Sequence, residues 1–266
     1  MTQPRQQRRP TEYTTQHVEQ PAAAGLAPRT SLTKRVAVMQ PYFFPYAGYY
    51  RLFAAVDEFV IFDCVQFPRR GRVHRTEVTG PCGRREWLTL PLAHQPVDVL
   101  IKDLAFKPGA RELFDRRLAR LGCVGAVKSP AADRIRAFLA TPMTSVINYL
   151  EASLRLVVEL LGFNSAITRS SALGLDPSLR GQPRVLAVAE ASGATHYINA
   201  PGGRALYDAA AFDRAGIELS FLSPYQGRFV QFLPALMTTD VAEIRGDIIS
   251  DLFLHGPSPQ SGTTLV

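Results

Sequence analysis

A chain of 266 residues that is 46% hydrophobic and 20% charged, with a mean hydropathy of −0.01, has enough apolar side chains for a sizeable core. It has no run of about 18 apolar residues, as a membrane span needs, and no apolar leader behind its N-terminal arginines, so the cytoplasm is the expected location. The net charge of +7 invites a nucleic-acid partner, but six basic and two acidic residues in 1–35 carry +4 of it, and a body at +3 argues against one.

Residues 1–35 are rich in Gln, Pro, Thr and Ala and read as a disordered basic tail ahead of a single α/β domain over 36–266. Val36 to Gln40 is a strand, Pro41 to Pro45 an aromatic loop, and Tyr46 to Val56 a helix with apolar positions at Tyr49, Leu52, Phe53 and Val56. Phe59 to Phe62 is a buried strand, so the chain opens as a parallel β-α-β unit. Trp87 to Leu92 is a strand that its proline places at an edge or end. The middle of the chain is helical, over about 110–162: Ala110 to Leu121, Ala131 to Leu139, and Ser145 to Leu161 closed by Gly162. "FNSAITRSSAL" is a strand and turn, Gly181 to Ser192 a helix, "ATHYINA" a strand and Gly216 to Leu222 another. Strands alternating with helices predict a three-layer α/β fold with a mostly parallel sheet and an additional helical segment.

Three constellations could carry chemistry. The first is "MQPYFFPYAGYY": a strand, a loop and a helix start, the place where open α/β sheets hold ligands. Gln40 and the tyrosines Tyr42, Tyr46, Tyr49 and Tyr50 would line a crevice there. The aromatics could also be plain core, but a buried tyrosine hydroxyl needs a partner, a costly choice for packing alone. The second is "FDCVQFPRRGRVHRTEV". Asp63 and Gln66 could bind an amine, a hydroxyl or a metal-bridged phosphate, and Arg69, Arg70, Arg72 and Arg75 suit a carboxylate or phosphate. Cys64 with His74 is a possible nucleophile and base, against the alternatives of a buried thiol and a solvated turn. The third is "NAPGG", where Asn199, Gly202 and Gly203 follow a strand and let a backbone approach a ligand, or simply make a turn. Cys64, Cys82 and Cys123 show no C-x-x-C spacing, so reduced thiols and no metal site are expected. Neither a P-loop nor G-x-G-x-x-G nor G-x-S-x-G occurs.

Four blocks in order, "MQPYFFPYAGYYRLFAAVDEFVIFDCVQFPRRG", "WLTLPL", "GQPRVLAVAEASGATHYINAPGGRALYDAAAFDRAGIEL" and "QFLPALMTTDV", resemble the WbqC-like proteins, from Val36 to about Asp240. Members of that family occur in bacterial O-antigen, other surface-polysaccharide and secondary-metabolite gene clusters, and a glycine-transferase or related acyltransferase role has been suggested for them. The shared motif falls here on Gln40, Pro41, Tyr42, Pro45, Gly48, Tyr49, Asp63, Gln66, Arg70, Asn199, Gly202, Gly203, Tyr207, Gln231 and Asp240. The chain departs from the family in having Cys64 where Asp is usual, Arg72 where Trp is common, and His74 for Asn.

The resemblance implies amide formation on an amine acceptor, such as an amino sugar or a secondary-metabolite intermediate, from an acyl-thioester donor carried by CoA or an acyl carrier protein. Asp63 would bind or deprotonate the amine, Gln40 and Asn199 would donate to the oxyanion, Arg70 would hold a phosphate, and Gln66 and Gln231 would bind substrate. Two rivals stay open: an ATP-dependent adenylate-forming ligase, whose helix-start histidines are tyrosines here, and a binding protein without catalysis.

Overall fold

The computed structural model describes residues 33–80, 82–121 and 129–257. Cys123 and nearly all of the tail read at 1–35 lie outside them; Lys34 is described, and Arg35 already begins the first strand.

The chain folds as an α/β protein around a six-stranded, mostly parallel sheet. Its strands are β1 (Arg35–Met39), β2 (Glu58–Ile61), β5 (Ala166–Arg169), β6 (His196–Asn199), β7 (Glu218–Leu222) and β8 (Leu254–His255), in the order β5-β2-β1-β6-β7-β8. All neighbours run parallel except β7 and β8. Side chains alternate across a strand, so β1 sends Val36 and Val38 to one face and Ala37 to the other. Val36 and Val38 join Val60, Tyr197 and Leu219 under α5 (Gly181–Ala191) and α6 (Ala209–Arg214), which contribute Val188 and Phe212. Ala37, Phe59 and Ile61 join the larger core beneath α1 (Ala47–Ala55), α4 (Val146–Leu160), α7 (Phe232–Thr238) and α8 (Val241–Ile249). A sheet covered on both faces explains why β2 reads as an unbroken apolar run after Glu58 rather than alternating.

The helical segment comprises α2 (Ala110–Leu118), α3 (Pro130–Leu139) and α4. Ser129 and Ser145 accept hydrogen bonds from the first turns of α3 and α4, and Gly162, at φ +66°, closes α4 as expected. Trp87 lies in a strand, β4 (Arg85–Thr89), but that strand pairs antiparallel with β3 (Arg75–Thr79) in a separate two-stranded ribbon. The ribbon packs Val78 and Leu88 into the larger core, and Thr76 Oγ1 donates to the Phe44 carbonyl at 2.7 Å. It thereby anchors the aromatic loop that follows β1.

Among the described residues, no helix is long and apolar enough to cross a membrane.

Candidate functional site

The chain leaves β1 toward β2 on one side and returns to β6 on the other, so the strand order reverses between β1 and β6. Loops leaving two such strands diverge and open a crevice at their carboxyl ends. A cavity of about 450 Å³ occupies that place. Val38, Met39 and Gln40 come from the end of β1, Tyr42 and Tyr46 from the loop, Tyr49 and Leu52 from α1. Asn199, Gly202, Gly203, Leu206 and Tyr207 come from β6 and the short 3-10 turn Pro201–Leu206 behind it. Of the expected site residues, the fold thus brings together Gln40, Tyr42, Tyr46, Tyr49, Asn199, Gly202 and Gly203, whereas Tyr50 is a core residue instead, fully buried against Phe53 and Phe232.

Each wall has a local cause. The loop is held by the Phe43 N–H donating to the Arg72 carbonyl at 3.3 Å and by Thr76 on Phe44, whose φ of +41° is a strained value for a phenylalanine. Tyr42 and Tyr49 rings lie 5.4 Å apart, and the Tyr49 hydroxyl donates to the Gln40 carbonyl at 2.7 Å, tying α1 to the end of β1. Burial raises the pKa of all three tyrosines, with Arg72 opposing the rise at Tyr42 and Tyr46. Protonated phenols are hydrogen-bonding groups across the physiological range, not bases. On the facing wall, Asn199 Oδ1 accepts from the Ala200 N–H at 2.7 Å, which leaves Nδ2 as the donor end of the amide. A Cβ on Gly203 would stand 2.6 Å from that Nδ2, so only glycine admits the Asn199 side chain in this position.

Among the described residues the lining is uncharged, with no Asp, Glu, His, Cys, Lys or Arg bordering this cavity.

The second expected half of the site lies elsewhere. Asp63 follows β2, on the side of β1 away from β6, and faces β5 and the turn Ser170–Leu173. It is fully buried. Ser170 Oγ donates to it at 2.8 Å, the Ser171 N–H at 2.9 Å and Ser171 Oγ at 2.6 Å. A carboxyl group engaged by three donors pins two loop ends together, and this geometry explains its burial without any ligand. Cys64 is half-buried and borders neither the β1–β6 cavity nor the one that holds His74. Gln66 and Arg70 are exposed, Gln66 Nε2 donating to the Val97 carbonyl at 2.8 Å. Gln231, just before α7, accepts from Thr79 on the ribbon. His74 packs edge-on against Phe67, and burial first, then Arg75 and Arg117, lowers its pKa to about 4.

Among the walls that sequence reasoning left out are Phe62, Val185, Leu206 and Tyr207. Tyr207 carries the family motif and was the available signal; Leu206, 69% exposed at the rim, had none.

The WbqC-like protein family matches residues 40–247, more than half of the chain and every residue that lines the cavity except Val38 and Met39. The chain belongs to the WbqC-like protein family. It is also similar to the protein named "Uncharacterized protein Rv1507c" of Mycobacterium tuberculosis (strain ATCC 25618 / H37Rv), with 24% identity over 219 residues, covering 78% of this chain and 92% of that protein. No solved structure matches the chain. Of the positions that the resemblance marks in this WbqC-like chain, Gln40, Tyr42, Tyr49, Asn199, Gly202, Gly203 and Tyr207 line one cavity, and Asp63, Gln66, Arg70 and Gln231 lie outside its lining.

Proposed function

We propose that this WbqC-like protein is an acyl- or aminoacyltransferase that forms an amide on a small polar amine, such as an amino sugar, bound in the β1–β6 cavity, with a thioester as donor. The observation that carries the reading is the uncharged, tyrosine-walled cavity at the reversal of strand order. Tyrosine faces suit the apolar side of a sugar ring, and phenol and amide groups suit its hydroxyls. In the reaction the amine nitrogen attacks the thioester carbon, the C–S bond breaks, and the amine proton leaves with the departing thiolate. That balance needs no carboxylate in the lining. The Gln40 amide and Asn199 Nδ2 are the groups suited to meet the developing oxyanion. Asp63 positions the end of β2 in this reading rather than acting on the amine.

The same lack of a titratable base favours a second reading, a binding protein without turnover. A ligase using ATP has no support from this cavity, since no Lys or Arg borders it to meet a triphosphate. A mass-spectrometric assay with an acyl or glycyl thioester and an amino-sugar nucleotide, with and without ATP and magnesium, separates the three. Amide product without ATP is expected, with kcat reduced about 100-fold in Asn199→Ala. Product only with ATP would favour the ligase; saturable acceptor binding without product from any donor would leave the binding protein.

A further inference from the structure

The stretch before β3, the end of β4 with the segment after it, and α2 border a second, open cavity of about 340 Å³. Its walls include Phe67, His74, Thr89 and Leu90, and its charges come from Arg69, Lys107 and Arg117. Among the described residues, no Asp or Glu borders it.

The three cations are held in place without being neutralised. The Arg69 guanidinium donates to the Gln95 carbonyl at 2.5 Å and that of Arg117 to the Thr89 carbonyl, while Lys107 is anchored through its backbone N–H, which donates to the Pro91 carbonyl at 3.1 Å. Backbone carbonyls orient a guanidinium but carry no net charge. The carboxylates of this region are committed elsewhere, Asp115 to Arg111 and Glu77 to Arg72. Nδ1 of His74 is buried and has no hydrogen-bond partner. An orphaned ring nitrogen beside three unpaired cations is an arrangement that costs stability unless something occupies it.

We propose that this cavity binds a phosphate-bearing small molecule through a diphosphate group, held by Arg69, Lys107 and Arg117. Two guanidiniums offer forked donors matched to phosphate oxygens, and the ammonium adds a compact charge between them. A lone carboxylate would leave most of this charge uncompensated, and three cations at one cavity on a mildly basic body do not make the extended basic track that a nucleic-acid backbone needs. The proposal does not depend on the transferase reading, because the two cavities share no lining residue.

Isothermal titration of the full chain at low salt, with inorganic pyrophosphate, a nucleoside diphosphate and citrate as probes, tests it. Saturable binding of both phosphate probes is expected, weakened about tenfold in each of Lys107→Gln and Arg117→Gln and unchanged in Asn199→Ala. Tighter binding of the nucleoside diphosphate would identify a nucleotide as the source of the group; equal binding would identify free diphosphate. Arg69→Gln, on an exposed side chain, repeats the test if substitution at either of these half-buried positions prevents folding. Absence of saturable binding, citrate binding as tightly as pyrophosphate, or affinity unmoved by all three substitutions would overturn the proposal.

Discussion

Asp63 illustrates how far a residue type and its place in a chain can be read. An acid directly after a buried strand of an α/β sheet is a natural expectation for chemistry, and nothing in the sequence announces that Ser170 and Ser171, more than a hundred positions later, reach back to it. The partners decide its role, and partners across β2 and β5 are a product of topology. Removing the carboxyl group leaves buried donors without acceptors, so Asp63→Ala is expected to lower unfolding free energy by about 1–3 kcal/mol, with Asp63→Asn intermediate, as read by urea denaturation. An unfolding midpoint equal to wild type would show that the three donors find other partners and that the acid is free for another task. Tyr42, Tyr46 and Tyr49 were more legible. Their hydroxyls signalled a surface that is not merely packing, and the fold sets all three against one cavity.

At the level of elements, the strands with apolar runs and the helices with clear periodicity are recovered within a few residues, as β1, β2, α1 and α4 show. β3 escaped because "RTEVT" has only Val78 as a large apolar side chain, and its arginine and glutamate look like turn residues until β4 is beside it. α6 and α7 escaped because helices of six and seven residues are too short to display a period. One contact fixes α1, and through it the aromatic loop, to the far end of the sheet. Arg51 is 1% exposed, and its guanidinium donates to the Ser223 carbonyl at 2.9 Å, to Ser223 Oγ at 3.0 Å and to the Asp251 carbonyl at 2.6 Å. A lysine cannot present that fork. Arg51→Lys is expected to cost about 3 kcal/mol by thermal or urea unfolding, and Arg51→Met at least as much. A loss below about 1 kcal/mol in both would mean that the fork adds little beyond packing.

For the whole molecule, the decisive fact is the order β5-β2-β1-β6-β7-β8. The alternation of strands and helices was enough to expect a three-layer α/β fold, but it could not say which strands would be neighbours. That order brings Asn199 of β6 opposite Gln40 after β1, and it turns Asp63 away toward β5. It also explains why the expected single site divides: the aromatic half meets the glycine turn from the end of the chain's third quarter, while the basic half builds the ribbon and its own cavity. The claim at the centre of this account is that amide formation depends on the β1–β6 cavity and not on the thiol at Cys64. Turnover of an acyl thioester and an amine acceptor, followed by mass spectrometry in wild type, Gly203→Ala and Cys64→Ser, addresses it most directly. A Cβ at Gly203 displaces Asn199, so Gly203→Ala is expected to lose about tenfold or more in kcat/KM while Cys64→Ser keeps wild-type turnover and no acyl adduct accumulates on the chain. Loss of turnover in Cys64→Ser with an acyl adduct trapped on wild-type Cys64, and an undiminished Gly203→Ala, would contradict it.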